Sequence, residues 1–311
     1  MGVIFTFPGQ GAQRAGMLAA LPDSDAVCEA KAEAEAVLGR KCAEMDTAEA
    51  LADTETVQLA LTIAGVASAR HLQAEGAAPQ AVMGLSIGAW PAAVVAGTID
   101  YGDALKRVAR RGALMRDAFP RGYGMSAVLG LAEAQVRALV QDVQGEGHIV
   151  YVGNVNSDQQ IVVAGRDDAL ARMDTLATQA GASRVARLDM AVPSHCVLLD
   201  DSADALADTA PPSLFGTPKL AYFSANARRR LWRAGDVRDD LIYNMARNVY
   251  WAAAARIAHE SGFTLAVEMP PARVLTRLHP AMDSGGEAVA VVDAGWHNAA
   301  ALIRRAASSD D

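Results

Sequence analysis

The chain has 311 residues, 51% of them hydrophobic and 21% charged, with a formal net charge of −8. That is enough apolar material for one large domain, or a large one carrying a small one. The acidity speaks against general nucleic-acid binding, which depends on neutralising phosphates. Three cysteines without CxxC spacing, Cys28, Cys42 and Cys196, speak against a disulfide framework and a cysteine zinc site.

Positions 3–7 are a short apolar, β-branched run ended by Pro8-Gly9-Gln10-Gly11, which predicts a buried strand entering a tight turn. The Ala-rich stretches 25–38 and 55–75 have helical spacing. A short strand at 81–83 runs into Gly84-Leu85-Ser86-Ile87-Gly88, then a helix over 89–95 with Pro91 in its first turn, where a missing N–H costs little. A further helix covers 101–118 and stops before Pro120. The middle of the chain reads strand 125–131, helix 133–143, strands 149–156 and 160–164, helix 167–180 and strand 183–188. This β-α-β-β-α-β order is the split βαβ pattern of a ferredoxin-like unit. After Pro193 the α/β pattern resumes, with strands near 220–224 and 265–267, helices near 237–246, 252–260 and 272–278, and a last strand near 289–292. The division expected is a large α/β unit, 1–124 and 191–311, interrupted by a small insert, 125–190. With no basic n-region at the start, no membrane-length apolar run and no disulfide pattern, a reducing cytoplasm is the expected compartment. The Arg228-Arg229-Arg230 run is either a solvated loop edge or a docking spot for an anionic partner.

G-x-S-x-G between a strand and a helix is the sequence form of a nucleophile elbow. A sharp turn needs minimal neighbours for its backbones to pass, and it aims the serine at a helix start, where free N–H groups favour developing negative charge. The alternative is a small-residue turn without chemistry. A serine nucleophile also needs a base. Of six histidines, His71 and His259 fall in predicted helices among charged residues and are expected to be solvated. His148 lies in a turn of the insert, His279 in a loop and His297 near the end of the chain. His195 sits where the chain returns from the insert to the large unit, and a junction of that kind is a favoured place for a cleft.

Several segments together resemble the malonyl-CoA:acyl-carrier-protein transacylases. They are Phe7-Pro8-Gly9-Gln10-Gly11, Gly84-Leu85-Ser86-Ile87-Gly88, Arg111-Gly112 with Met115, Asn156-Ser157 with Val162-Val163-Ala164-Gly165, Val192-Pro193-Ser194-His195-Cys196, and Glu268 with Pro271 and Val274-Leu275-Thr276. The resemblance runs almost end to end. It implies an α/β-hydrolase-like large subdomain with an inserted ferredoxin-like small subdomain. It also implies a ping-pong transfer in which malonyl-CoA acylates Ser86, His195 acts as base, and malonyl passes to the thiol of an acyl carrier protein, with no bound cofactor or metal. Carried over residue by residue, it makes Arg111 the clamp for the malonyl carboxylate. The backbone N–H groups of Gln10 and Ile87 become the oxyanion hole, and Asn244 takes the place that orients the histidine, largely through a backbone carbonyl. Cys196, a rival nucleophile, reads as a small packing residue.

The chain also departs from the pattern. Leu85 and Ala89 stand where fatty-acid-synthesis members carry His and Glu, and Glu268-Met269-Pro270-Pro271 replaces an acidic-x-Gly-Pro. These departures resemble the epsilon subunit of bacterial malonate decarboxylase, which implies that system's own carrier subunit as acceptor. The alternative acceptor is a carrier of fatty-acid or polyketide synthesis. A malonyl thioester hydrolase and a non-catalytic carrier-binding module are the remaining readings.

Overall fold

Two sheets organise the chain in the computed structural model, which describes residues 2–279 and 285–308. In chain order the strands are β1 (Val3–Phe7), β2 (Ala81–Gly84), β3 (Tyr123–Leu129), β4 (Val150–Ser157), β5 (Gln160–Arg166), β6 (Arg184–Arg187), β7 (Ala221–Ser224), β8 (Arg229–Leu231), β9 (Val249–Tyr250), β10 (Leu265–Glu268) and β11 (Glu287–Ala290). The helices used below are α1 (Asp25–Leu38), α2 (Thr54–Ala74), α3 (Ala89–Val95), α4 (Tyr101–Ala118), α5 (Glu133–Gly145), α6 (Asp167–Gln179), α7 (Asp200–Ala207), α8 (Ala234–Tyr243), α9 (Trp251–Glu260), α10 (Val274–Leu278), α11 (Val291–Ala294) and α12 (Trp296–Ser308).

The larger sheet has the order β11-β10-β1-β2-β7-β8, parallel except for β8. Every residue of β1, β2, β7 and β10 is buried. That is why β1 reads as an unbroken apolar run: a parallel sheet covered on both faces has no solvent side to alternate towards. The chain builds outward from β1 through β2 to β7, then returns to lay β10 and β11 on the other side of β1. Such a reversal opens a crevice beyond the carboxyl ends of the central strands.

The smaller sheet has the order β6-β3-β5-β4-β9. Its first four strands are antiparallel neighbours, and α5 and α6 pack on it, giving the ferredoxin-like arrangement. The fifth strand, β9, comes from outside 125–190 and pairs with β4 in parallel. The chain is thus an α/β-hydrolase-like large subdomain with a ferredoxin-like small one, and β9 stitches the two together.

α2 is buried almost all round from Thr56 to Ala69, so its apolar residues show no single stripe. It packs against α1 and α4. Gly112 makes the α4 contact possible, since a Cβ there would lie 2.4 Å from the Glu55 backbone. The basic run leads into β8, the antiparallel edge strand, which contains Arg229 and Arg230. There Arg230 stacks on Trp232 at 3.4 Å and Arg228 on Tyr250 at 4.5 Å; charged side chains on an edge strand disfavour pairing with another chain. Two expectations need correction. The last strand ends at Ala290, and Val291 and Val292 begin α11. His71 is buried rather than solvated, with Nδ1 3.0 Å from Ser24 Oγ and its ring edge-on to Trp296. α7, α12 and the short strands β8 and β9 were not anticipated.

Candidate active site

β1 and β2 are neighbours in register, with Phe7 opposite Gly84. Their carboxyl ends therefore deliver the Gly9-Gln10-Gly11 loop and Ser86 to the same point. The turn at Ser86 is as tight as its sequence implies. A Cβ on Gly84 would lie 2.1 Å from the Gly88 carbonyl, and one on Gly88 2.1 Å from the Phe7 oxygen. Ser86 itself has φ 54°, a left-handed conformation that costs a non-glycine residue about 1–3 kcal/mol and persists only where its surroundings enforce it. Ser86 and Ile87 open the turn preceding α3, where the first N–H groups have no intrahelical acceptor.

His195 reaches Ser86 from the returning chain: its Nε2 is 2.9 Å from Ser86 Oγ. It too is strained, at φ 67°. Its backbone N–H donates to the Met245 carbonyl at 2.6 Å, and Asn248 Nδ2 donates to its carbonyl at 2.9 Å. Nδ1 lies 2.6 Å from the Asn244 carbonyl oxygen. A carbonyl can only accept, so Nδ1 carries the proton and Nε2 presents its lone pair to the serine. Burial, then the nearby Arg111 charge, pull the His195 pKa down to about 4, against the opposing pull of the Asn244 carbonyl. The ring is therefore neutral at pH 7 and able to accept the hydroxyl proton.

Arg111 is 1% exposed. It lies on the buried stripe of α4 that also holds Ala104, Val108 and Met115, while Arg110 points to solvent. Its guanidinium donates to Gln58 Oε1 at 2.6 Å, Asn244 Oδ1 at 3.0 Å and Ser86 Oγ at 3.4 Å, and Nε has no partner among the described residues. Every one of these acceptors is neutral. Burial pulls the Arg111 pKa down to about 9, which leaves it a cation at neutral pH. A buried charge without a counter-ion is costly; among the described residues this one has none, and it faces Ser86.

Asn244, also 1% exposed, ties the three together. Its backbone oxygen accepts from His195, its Oδ1 from Arg111, and its Nδ2 donates to the Ser86 carbonyl at 3.3 Å. Ser86, His195, Arg111, Gln10 and Ile87 all line one cavity of about 500 Å³, walled further by Met115, Met125 and Val162. Cys196 is outside it, lining a different pocket. Burial pushes its thiol up to about 12, so at neutral pH it is no nucleophile.

Sequence reasoning missed Gln58, the second anchor of Arg111. A glutamine inside the apolar stretch of α2 was the signal, because a polar side chain that becomes buried must have a polar partner. Arg111 was also legible in part, since position 111 falls in phase with the apolar residues of α4 and positions 107 and 110 do not. Asn154, Asn156 and Ser194 line the same cavity, each with a buried side-chain oxygen that has no partner among the described residues. The arrangement can deprotonate a hydroxyl, attack a carbonyl carbon, and hold an anion beside it.

A model of the acyl transferase domain matches residues 4–297. The malonyl CoA-acyl carrier protein transacylase of Escherichia coli strain K12 is 36% identical over 281 residues, covering 88% of this chain and 90% of that one. The structure of the malonyl CoA-acyl carrier protein transacylase from Coxiella burnetii superposes with a TM-score of 0.91 at 30% identity, covering 98% of both chains. A malonyl-transacylase in complex with a type II polyketide-synthase acyl-carrier protein superposes at 0.87 with 34% identity, over 94% of this chain and 95% of that one.

Proposed function

The chain belongs to the acyl transferase family, and we propose that it moves malonyl from malonyl-CoA, through an acyl-enzyme on Ser86, to the thiol of an acyl carrier protein. The observation that carries this reading is the buried Arg111 cation, held among the described residues only by neutral groups and 3.4 Å from Ser86 Oγ. In a malonyl thioester one methylene separates the free carboxylate from the reacting carbonyl. The cation that receives that carboxylate must therefore sit beside the nucleophile, and a planar fork suits it.

His195 Nε2 takes the Ser86 hydroxyl proton as Oγ bonds to the thioester carbonyl carbon. The oxyanion of the tetrahedral intermediate is received by the N–H groups of Gln10 and Ile87. The C–S bond then breaks, and the proton on Nε2 passes to the departing CoA sulfur, leaving malonyl-Ser86 and free CoA. The carrier thiol gives its proton to Nε2 and attacks the ester, and Ser86 leaves with that proton. The Asn244 carbonyl holds the Nδ1–H throughout, which is the orienting task a carboxylate performs in other triads.

The relatives' names favour a carrier of fatty-acid or polyketide synthesis as the acceptor. The second reading, the carrier subunit of malonate decarboxylase, rests on Leu85 and Ala89 flanking the nucleophile turn. Intact mass after brief exposure to malonyl-CoA tests the chemistry: a malonyl adduct forms on the wild type and is absent from Ser86→Ala. An adduct persisting in that variant refutes the nucleophile. Offering both purified carriers to the malonyl-enzyme separates the acceptors, and preference for the decarboxylase carrier overturns the first.

A further inference from the structure

The catalytic cavity does not end at its own mouth. A second cavity of about 460 Å³ shares Ala12, Asn156, Gln160 and Val274 with it. Three arginines, Arg14, Arg273 and Arg277, line this second space. Arg273 is paired with Asp293 at 2.7 Å, whereas Arg14 and Arg277 have neither an ion pair nor a hydrogen bond among the described residues. Such a concentration of positive charge stands out in a chain of net charge −8. Nothing in the catalytic steps above uses it.

We infer that this second cavity is a phosphate site, holding the phosphorylated far end of the thiol-bearing arm whose thioester lies at Ser86. The inference rests on the malonyl-transfer reading. An acyl group carried on a pantetheine thiol is tethered to a phosphate at the arm's other end: a diphosphate in CoA, a phosphodiester on a carrier protein. The first cavity, with Met115, Met125 and Val162 in its walls, suits the uncharged arm. The anion then emerges where the cavity wall passes to the arginines. Arginine forks match phosphate oxygens in pairs. A concave site of this volume suits a small charged group better than a protein surface.

The test compares Arg14→Ser and Arg277→Ser with the wild type, using malonyl-CoA and malonyl-pantetheine as donors and following malonyl-Ser86 by intact mass and stopped flow. Each substitution lowers kcat/KM for malonyl-CoA by about tenfold, the range for one charge-assisted hydrogen bond. The loss is confined to the phosphate-bearing donor, and Arg277→Lys restores part of it. Transfer from malonyl-enzyme to a phosphopantetheinylated carrier locates the source. Loss there as well as with malonyl-CoA assigns the site to the phosphate common to both, and loss with malonyl-CoA alone assigns it to the diphosphate. Equal losses with malonyl-CoA and malonyl-pantetheine, no loss with malonyl-CoA, or a loss seen only with the carrier overturns the inference. Failure of malonyl-Ser86 to form from any donor in the wild type refutes the transfer reading instead.

Discussion

Removing the guanidinium in Arg111→Ala separates substrate selection from catalysis. In the wild type the cation is buried and, among the described residues, donates only to the neutral acceptors of Gln58, Asn244 and Ser86, so in the proposed reading a malonyl carboxylate supplies its missing counter-charge. Losing a charge-assisted contact of this kind costs about 3 kcal/mol, or roughly 150-fold in kcat/KM for malonyl-CoA. An acetyl group has no carboxylate and so loses no such contact. The substitution also disturbs Ser86 and Asn244, so absolute rates fall for every donor. The ratio of kcat/KM for malonyl-CoA to that for acetyl-CoA is therefore the diagnostic quantity, measured as acyl-enzyme formation by stopped flow or intact mass. It drops by about two orders of magnitude if Arg111 reads the carboxylate. A ratio within threefold of the wild type refutes the reasoning.

The remaining predictions follow from the same contacts. Because burial and Arg111 hold the His195 pKa near 4, kcat/KM for malonyl-CoA stays level as pH falls from 7 to 5. It declines only as the ring gains its proton below that, and a midpoint near 6.5 contradicts the assignment. The same shift has a stability consequence: unfolding takes up a proton on His195 between pH 6.5 and 4, so stability rises with pH across that window, by up to about 3 kcal/mol. Urea unfolding of His195→Gln shows the correspondingly weaker pH dependence, and an unaltered dependence argues against it. Gly84→Ala forces a methyl to 2.1 Å from the Gly88 carbonyl and destabilises the fold by about 3 kcal/mol; an unshifted urea midpoint refutes the steric account of the elbow. Asn244→Ala keeps the backbone carbonyl that orients His195 but removes the Oδ1 anchor of Arg111. It lowers the malonyl-to-acetyl ratio about tenfold without moving the low-pH limb of kcat/KM, and a displaced limb shows that the side chain itself tunes the histidine.

Local pattern was enough to recognise most elements, because each obeys a rule confined to neighbouring residues. α4, Tyr101–Ala118, and β1, Val3–Phe7, match the sequence reading at both ends. The Gly84-x-Ser86-x-Gly88 turn was legible for the same reason, its glycines being demanded by backbone overlap within a few residues. β9 was not legible: two residues, Val249 and Tyr250, become a strand only because β4 lies beside them. Pairing across 249 and 154 leaves no local periodicity to read.

Ser86 could be picked out as a candidate nucleophile from its turn, but the residues around it could not be derived from that turn. Gln58, Arg111, His195 and Asn244 are up to 186 positions apart between residues 58 and 244. Sheet order brings them within hydrogen-bonding reach. Burial then pulls both pKa values down, leaving the arginine still a cation, with no counter-ion among the described residues, and the histidine neutral. Charge and tautomer both depend on dielectric surroundings and on distances across the fold. Neither is encoded in the spacing of neighbouring residues, so these properties emerge only when the chain is packed.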